Sequence, residues 1–473
     1  MQEQEESVIE DIRRTLAEVV AGETGFVEVR YHARTSRSIT VEKGRIEGST
    51  IRRRKGTGVR VLVDGSFGFA SCGSADPAEV KRAIERARKA ARRSAAMRRD
   101  LTAEFPPTEL ARGHVEVPGV TALSRRSLDE KVELARKVEG TTRTASERIT
   151  TAACTYTEVI EEKAIVTSDG ADCSYRLARP EFRVMAVAED GGERQVATRA
   201  VGATGDWECL FRAGSARILG DQAAEVATDL LRARPPEGGR KTVILAPSIV
   251  GLLVHEAIGH TVEADFVRSG SVAAGRLGTR VASEVVTLCD SGASEFEEGA
   301  GGTIPIDDEG VPAKRTVIIR RGILESYLHD RESAHHFGVA PTGSARAWEY
   351  SDPPLIRMRN TYMEPGESTL EEMIEGVEDG YLLDGPRNGQ ADATGEFMFG
   401  VQRARRIVNG KLGPLVRGVT ISGIAFDVMQ TVDAVSREFK WDLGAGYCGK
   451  GQPAKVDAGG PYVRCRVILG GEQ

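Results

Sequence analysis

Apolar and polar positions alternate with two different periods in the first hundred residues. A helical spacing of apolar side chains predicts an amphipathic helix over residues 6–21. The next segment, FVEVRYHA from Phe26, alternates apolar and polar residues and is typical of a half-buried strand. Short strands separated by glycine-containing turns continue to about Ala70. The apolar positions of the helix are Val8, Ile9, Ile12, Leu16 and Val19.

Capping signals mark the helices that follow. Asp76 and Pro77 form an N-cap and first-turn pair, which predicts a helix to about residue 97. This helix is rich in arginine and lysine, but no aromatic residues are interleaved with them, so we interpret it as a solvated face. Ser127 and Glu130 form a capping box. We expect strands over residues 149–203 and a helix over residues 216–233.

The segment RARPPEGGRK, residues 232–241, combines two prolines and two glycines with charges and predicts a domain boundary. We therefore predict an N-terminal domain over residues 1–236 and a C-terminal domain over residues 237–473. In the second domain a buried strand, TVILAP, precedes a helix for which Ser248 is the predicted cap.

The rest of the C-terminal half is rich in predicted strands. A hairpin turn is predicted at Asn409-Gly410, and Ser368 with Glu371 is predicted to cap one further helix. The expected fold class is α/β in the broad α+β sense: an N-terminal α/β region, then a strand-rich domain that carries the helix after Ser248.

Composition narrows the function classes. The 473 residues carry a net charge of −6, which gives no reason to expect binding to nucleic acid or to an anionic membrane. No apolar run approaches the roughly 20 residues of a membrane span, and the polar N-terminus does not resemble a targeting peptide. Seven dispersed cysteines without paired spacing indicate reduced thiols and a cytoplasmic protein.

The segment LLVHEAIGHTVEAD, from Leu252 to Asp265, carries the most specific chemistry. It differs from the zinc-peptidase motif H-E-x-x-H by one extra residue between His255 and His260. A regular helix separates residues five apart by about 140°, too far for both histidines to bind one ion. A shared metal site therefore requires a helix that is widened or broken, as in a π-type turn. Gly259 would supply the required backbone freedom.

Several neighbouring residues fit a metal site. Glu256 occupies the place of the general base in H-E-x-x-H peptidases. Glu263 and Asp265 could accept a hydrogen bond from a metal-bound imidazole. A catalytic zinc needs a third protein ligand, for which the sequence offers several candidates, and Tyr327, His329 and Arg331 are candidate oxyanion donors. The candidate third ligands are His329, His335, His336, the carboxylates and Cys448, the last within the glycine-rich GAGYCGKGQP.

Four ordered motifs resemble the TldD/PmbA family, in its metal-bearing TldD-type branch. They are HEAIGHTVEAD, PTGSARAW, IRMRNTYMEPG and GYCGKGQP. The N-terminal half agrees in length and in its strand–helix pattern. The resemblance implies a zinc metallopeptidase with His255, His260 and Cys448 as zinc ligands and Glu256 as the catalytic carboxylate. Tyr447 departs from the small residue that the family usually has before the cysteine, which affects the expected pocket shape.

The resemblance also implies partners. Family members pair as homodimers, or as heterodimers with a PmbA-type (TldE) subunit, and enclose a site that admits extended peptides, either unfolded chains or leader segments. Two other functions stay open at this point. The same ligands would serve a zinc amide hydrolase acting on a modified natural-product peptide. A non-catalytic scaffold would instead hold a structural zinc closed by four protein ligands.

Overall fold

The computed structural model describes residues 2–97, 105 and 107–471. The N-terminal half alternates helices with long strands. Its elements are α1 (Gln2–Ala21), β1 (Phe26–Glu42), β2 (Arg45–Val63), β3 (Ser66–Cys72), α2 (Pro77–Ala95), β4 (Arg112–Glu116), α3 (Val120–Arg125), α4 (Leu128–Arg143), β5 (Ile149–Thr167), β6 (Asp172–Asp190), β7 (Glu193–Gly202), α5 (Trp207–Leu210) and α6 (Ala216–Leu230).

One seven-stranded sheet organises this half. Its strand order is β3-β2-β1-β5-β6-β4, with β7 also paired to β6. Every pairing is antiparallel except that of β4 with β6. Helices α1 and α2 pack on one part of the sheet and share a core with Val27 and Val29. Helices α4 and α6 cover another part around Tyr156 and Phe182.

The C-terminal half consists of shorter elements. They are β8 (Gly239–Leu245), α7 (Pro247–Leu253), α8 (Ala264–Arg268), β9 (Leu288–Ser291), β10 (Thr316–Arg320), β11 (Ile323–Leu324), α9 (Arg331–Phe337), β12 (Ala345–Arg346), β13 (Leu355–Ile356), β14 (Asn360–Met363), α10 (Leu370–Glu375), β15 (Asp379–Ala391), β16 (Glu396–Val408), β17 (Lys411–Val416), β18 (Val419–Ile424), α11 (Ala425–Gln430), β19 (Ala434–Val435), β20 (Lys440–Trp441), β21 (Tyr447–Gly449), β22 (Pro453–Lys455), β23 (Asp457–Gly460) and β24 (Val463–Gly471).

Two sheets surround the helix α7. One has the order β15-β8-β24-β18-β16-β17 and the other β11-β10-β9-β14-β23-β20. The apolar residues before His255 bury the helix in the common core, with Val250, Leu253 and Val254 at most 1% exposed. Gly251 allows a close approach, because a Cβ there would lie 2.8 Å from the Ala458 carbonyl oxygen of β23. The mixed α+β, strand-rich fold class is thus confirmed, and the predicted boundary at 236/237 stays a prediction.

Two of the predicted helix caps, at Asp76 and Ser127, are confirmed, and two are wrong. Asp76 accepts hydrogen bonds from the backbone of Ala78 and Glu79, and Ser127 forms its capping box with Glu130. The cap at Ser248 is wrong: Ala246 is the N-cap of α7 and Pro247 its first residue. The Ser248 hydroxyl instead lies 3.4 Å from Asp384 and accepts from the Gly385 N–H.

The capping box predicted at Ser368 and Glu371 is wrong by one residue. Thr369 and Glu372 form it. The Ser368 N–H is donated to the Val435 carbonyl and its own carbonyl accepts from Arg437, so this residue pairs like a strand and the helix begins after it. The predicted turn at Asn409-Gly410 is confirmed, because both residues have positive φ, as a type I′ turn requires.

A network of buried charges joins the N-terminal sheet to the loop between β9 and β10. We call it the ionic interface. Lys163 of β5 donates to both carboxylate oxygens of Asp308 at 2.8 Å, and Arg30 of β1 lies 3.6 Å from the same carboxylate. Its other members are Arg60 paired with Glu28 and Glu309, and Glu161, which pairs with Arg179 and accepts a hydrogen bond from His32.

Two further observations concern the whole described chain. All seven cysteines are free thiols. Among the described residues, no helix combines the length and the apolar character that crossing a bilayer would need.

Candidate metal centre

The helix that carries the two histidines is widened. After α7, Val254–Gly259 is π-helical and His260–Val262 forms a 3₁₀ turn. The His260 N–H is donated to the carbonyl of His255, five residues earlier. This is the i→i+5 bond of a π-helix, so the predicted widening between the histidines is confirmed. It brings the two imidazole rings to a centroid distance of 5.3 Å.

The glycine at position 259 is explained by packing and not by the predicted need for backbone freedom. Its φ and ψ of −55° and −49° are ordinary right-handed helical values, which any residue adopts. A Cβ at this position would overlap the sulfur of Met358. Glycine is therefore favoured here by close packing against the buried side chain of Met358, not by unusual backbone angles.

Cys448 lies beside both histidines although it is 188 residues beyond His260. The candidate ligand atoms of His255, His260 and Cys448 all lie within 4.8 Å of one another. We call these three residues the His–Cys cluster. The Cys448 sulfur is 3.0 Å from His260 Nε2, and Cys448 and His255 are 4% and 3% exposed. The structure thus brings together the three residues that the family resemblance implies as ligands.

A short hairpin, not an open loop, presents Cys448. Strand β21 pairs with β22, placing Cys448 opposite Ala454. The buried Arg357 ties the hairpin to the core by donating to the carbonyls of Cys448 at 2.6 Å and Gln452 at 2.7 Å. Gln452 in turn accepts from the Trp348 N–H. Arg357 and Gln452 lie in the motifs IRMRNTYMEPG and GYCGKGQP, but no local sequence signal predicts these contacts.

Two acidic residues follow the histidines and take different roles. Glu263 is fully buried, and its Oε2 lies 3.0 Å from His260 Nδ1. Asp265 does not contact an imidazole; it pairs with Lys450 at 2.7 Å, and Lys450 also reaches Glu263 at 3.1 Å. Burial raises the pKa of Glu263, but the hydrogen bond and charge of His260 and the charge of Lys450 lower it overall. Glu263 is therefore an anion, and its carboxylate orients the His260 imidazole.

The electrostatics of the cluster favour a thiolate. Burial raises the pKa of the Cys448 thiol, yet the charges of both histidines and the hydrogen bond to His260 outweigh burial and lower it to about 5. For His260, burial lowers the pKa, while hydrogen bonds to Cys448 and Glu263 raise it to about 10. A cysteine binds a metal as its thiolate, and here the surroundings already favour that form.

Glu256 borders the cluster on its open side. Its side chain is 31% exposed, and Oε2 lies 3.8 Å from His260 Nε2. The other candidates make contacts of their own. The Tyr327 hydroxyl donates to the Ala273 carbonyl, His329 Nδ1 lies 3.2 Å from the Ser333 hydroxyl, and Arg331 pairs with Asp169. His335 and His336 lie on α9. None of these five belongs to the His–Cys cluster formed within the described ranges.

Tyr447 points away from the cluster. Successive side chains of a strand lie on opposite faces, so Tyr447 and Cys448 of β21 project to opposite sides of the hairpin. The Tyr447 hydroxyl donates to Glu181 of β6 at 2.7 Å, and its ring packs on Trp348 at a centroid distance of 5.8 Å. Tyr447 therefore attaches the hairpin to the N-terminal sheet.

The fold and the cluster define a mixed α+β protein with a buried histidine–cysteine group of the kind that binds transition metals. Three family models match the chain. They describe PmbA/TldA metallopeptidase domain 1, the central domain and the C-terminal domain, and they match residues 27–91, 122–231 and 238–469. The chain belongs to the PmbA/TldA metallopeptidase family.

Individual relatives agree with this assignment. A metalloprotease of Methanothermobacter thermautotrophicus is 33% identical over 94% of this chain and 95% of its own. A zinc metalloprotease TldD homolog of Saccharolobus solfataricus is 36% identical over 50% of this chain and 53% of its own. The fold is similar to that of TldE from Thermococcus kodakarensis, with a TM-score of 0.79 and 20% identity, covering 97% of this chain and all of that one.

Proposed function

We propose that the chain is a zinc peptidase in which His255, His260 and Cys448 hold the ion and Glu256 is the general base. The observation that carries the proposal is the state of His255. It is 3% exposed, and neither imidazole nitrogen has a hydrogen-bond partner among the described residues. Burying a polar group without a partner costs free energy. A metal ion coordinated by His255 would remove that cost.

The donor set fits zinc. Two imidazoles and a thiolate are ligands that zinc prefers, and three protein ligands with an open fourth position are typical of a catalytic site. A structural zinc would be closed by four, so the set of three argues against the scaffold function. When bound, the ion supplies Lewis-acid activation of water and of the scissile carbonyl.

Side chains of this protein transfer the proton and orient the metal ligands. Glu256, on the open side, takes a proton from the attacking water and passes it to the leaving amine. Glu263 accepts from His260 Nδ1, which leaves Nε2 directed towards Cys448, and Lys450 neutralises part of the Glu263 charge. Metal-ligating histidines are commonly oriented in this way.

The substrate class proposed is an extended peptide, either an unfolded chain or a leader segment, admitted to a site enclosed by a dimer. The partner is a second copy of this chain or a PmbA/TldE-type subunit, the two pairings that the family resemblance implies. The alternative function, hydrolysis of an amide in a modified natural-product peptide, would use the same residues. The two functions are distinguished by which substrates the protein cleaves. The cytoplasmic location stays a prediction.

The test is a Glu256→Gln substitution in the zinc-loaded protein. We expect zinc content to be unchanged and the cleavage rate of an unfolded peptide to fall at least about 100-fold, the range for loss of a general base. Glu284→Gln, which changes an exposed carboxylate, is the matched control and should cleave like the wild type. Unchanged cleavage by zinc-loaded Glu256→Gln would show that Glu256 is not the base.

A further inference from the structure

A large cavity lies between the two halves of the chain, apart from the His–Cys cluster. It has a volume of about 1160 Å³ and is lined by β7 and α6 on one side and by C-terminal segments on the other. Small-molecule pockets usually measure roughly 300–1,000 Å³. The cavity is thus large enough for a stretch of polypeptide.

The charges of this cavity contrast with those of the whole chain. Eight basic and four acidic side chains line it, although the chain as a whole carries a net charge of −6. One of the acids, Asp384, is already paired with Arg403 and Arg199. The side chains of Arg183, Arg387 and Lys440 are exposed and form no salt bridge within the described part of the chain. The cavity therefore has unneutralised positive charge.

The cavity adjoins both segments that lead into the His–Cys cluster. Ala246, Pro247 and Ser248 line it, and the chain then continues through α7 to His255. Leu443 to Gly446 also line it, directly before the strand that carries Cys448. His255 lies seven positions after Ser248, a rise of about 10 Å along a helix. An extended peptide covers that distance in about three residues.

We infer that this cavity binds an acidic segment of the extended peptide substrate, about three or more residues from the bond that is cleaved. The inference rests on the proposed peptidase function and adds a substrate class to it. Carboxylates of the peptide would pair with Arg183, Arg387 and Lys440, and because these side chains are exposed, added salt would weaken the pairing.

Binding tests the inference without relying on turnover. Two fluorescent twelve-residue unfolded peptides are compared, one with Asp and Glu at four positions and one with Asn and Gln there. Zinc-loaded Glu256→Gln is titrated with each, and anisotropy is measured. We expect the acidic peptide to bind at least about tenfold more tightly, with a preference that declines as salt is added.

A triple substitution locates the site. Arg183→Ala/Arg387→Ala/Lys440→Ala should remove the preference for the acidic peptide and leave zinc content unchanged. Lys81→Ala/Lys89→Ala/Arg93→Ala removes the same charge from the exposed face of α2 and should keep the preference. Equal binding of both peptides, or an equal loss in the two triple variants, would overturn the inference.

Cleavage by the wild type separates this inference from the proposed function. If both peptides are cleaved with equal kcat/KM and the cavity variant has no effect, the peptidase function holds and the acidic preference is wrong. If the cavity variant abolishes binding of the acidic peptide but the zinc-loaded wild type cleaves neither peptide, the peptidase function is wrong and the cavity site is confirmed as an acidic-peptide site.

Discussion

The ionic interface and the His–Cys cluster both place polar side chains in the protein interior, but they differ in how those side chains are paired. In the ionic interface, Lys163 and Arg30 face Asp308, and each charge is met by an opposite charge of the same chain. In the cluster, both nitrogens of His255 have no hydrogen-bond partner among the residues described.

This difference separates a structural role from a functional one. Buried charges persist when they are paired, because an unpaired one carries the full cost of desolvation. A buried imidazole without a partner destabilises the fold, and it is retained where a ligand uses it. The comparison predicts that substitutions in the ionic interface affect mainly stability, and those in the cluster mainly metal binding.

The largest expected effect on stability is that of Asp308→Ala. It leaves Lys163 and Arg30 buried without their carboxylate, and breaking a buried pair in this way costs about 3–5 kcal/mol. Urea unfolding measures the change. Glu325→Ala, which removes the partner of the exposed Arg320, should cost less than about 1 kcal/mol. Equal losses in the two variants would show that the interface is not a stabilising network.

The pH dependence of stability tests the same network. Burial and the charge of Lys163 lower the pKa of His32 from 6.5 to about 4, although Glu161 and Asp308 oppose this shift. The unfolded chain therefore binds more protons at His32 than the folded chain does. This contribution, about 3 kcal/mol, is complete above pH 6.5 and is lost as the pH falls towards 4.

We therefore expect His32→Gln to reduce the loss of unfolding free energy between pH 6.5 and pH 4.5. His336→Gln, a change at an exposed histidine, should leave the slope as in the wild type. If His32→Gln and the wild type lose stability in parallel over this range, the neutral buried state of His32 is wrong.

The smallest expected effect on stability is inside the cluster. His255→Leu in the metal-free protein removes nitrogens without partners, so its free energy of unfolding should change by less than about 1 kcal/mol or rise. His260→Leu should cost about 1–3 kcal/mol, because it leaves the buried Glu263 without its imidazole. A larger cost for His255→Leu than for His260→Leu would contradict the distinction between paired and unpaired groups.

The features that the sequence predicts correctly are those set by neighbouring residues. The extra residue between His255 and His260 predicted a widened or broken helix, because a regular helix would place the two side chains about 140° apart. The capping box predicted at Ser127 and Glu130 is also confirmed. At Ser368 and Thr369 two adjacent hydroxyls each have an acidic residue three positions later, and only the pairing of Ser368 with Val435 and Arg437 decides between them. That information lies far away in the chain.

The candidate site shows the same limit of local information. From the residues alone Cys448 was one of several candidates, and the family resemblance singled it out. Its position depends on Arg357, which holds the hairpin through backbone carbonyls that carry no signature in the sequence. Tyr447 projects away from the cluster because strand side chains alternate, and this follows only once β21 is known to be a strand.

The measurement that tests the central claim most directly is the zinc content of the purified protein beside a Cys448→Ala variant. We predict about one zinc per chain in the wild type and almost none in Cys448→Ala. Cys465→Ala, at a buried cysteine outside the cluster, should retain the metal. Full zinc in Cys448→Ala, or none in a wild type exposed to zinc, would contradict the assignment of the His–Cys cluster as a metal site.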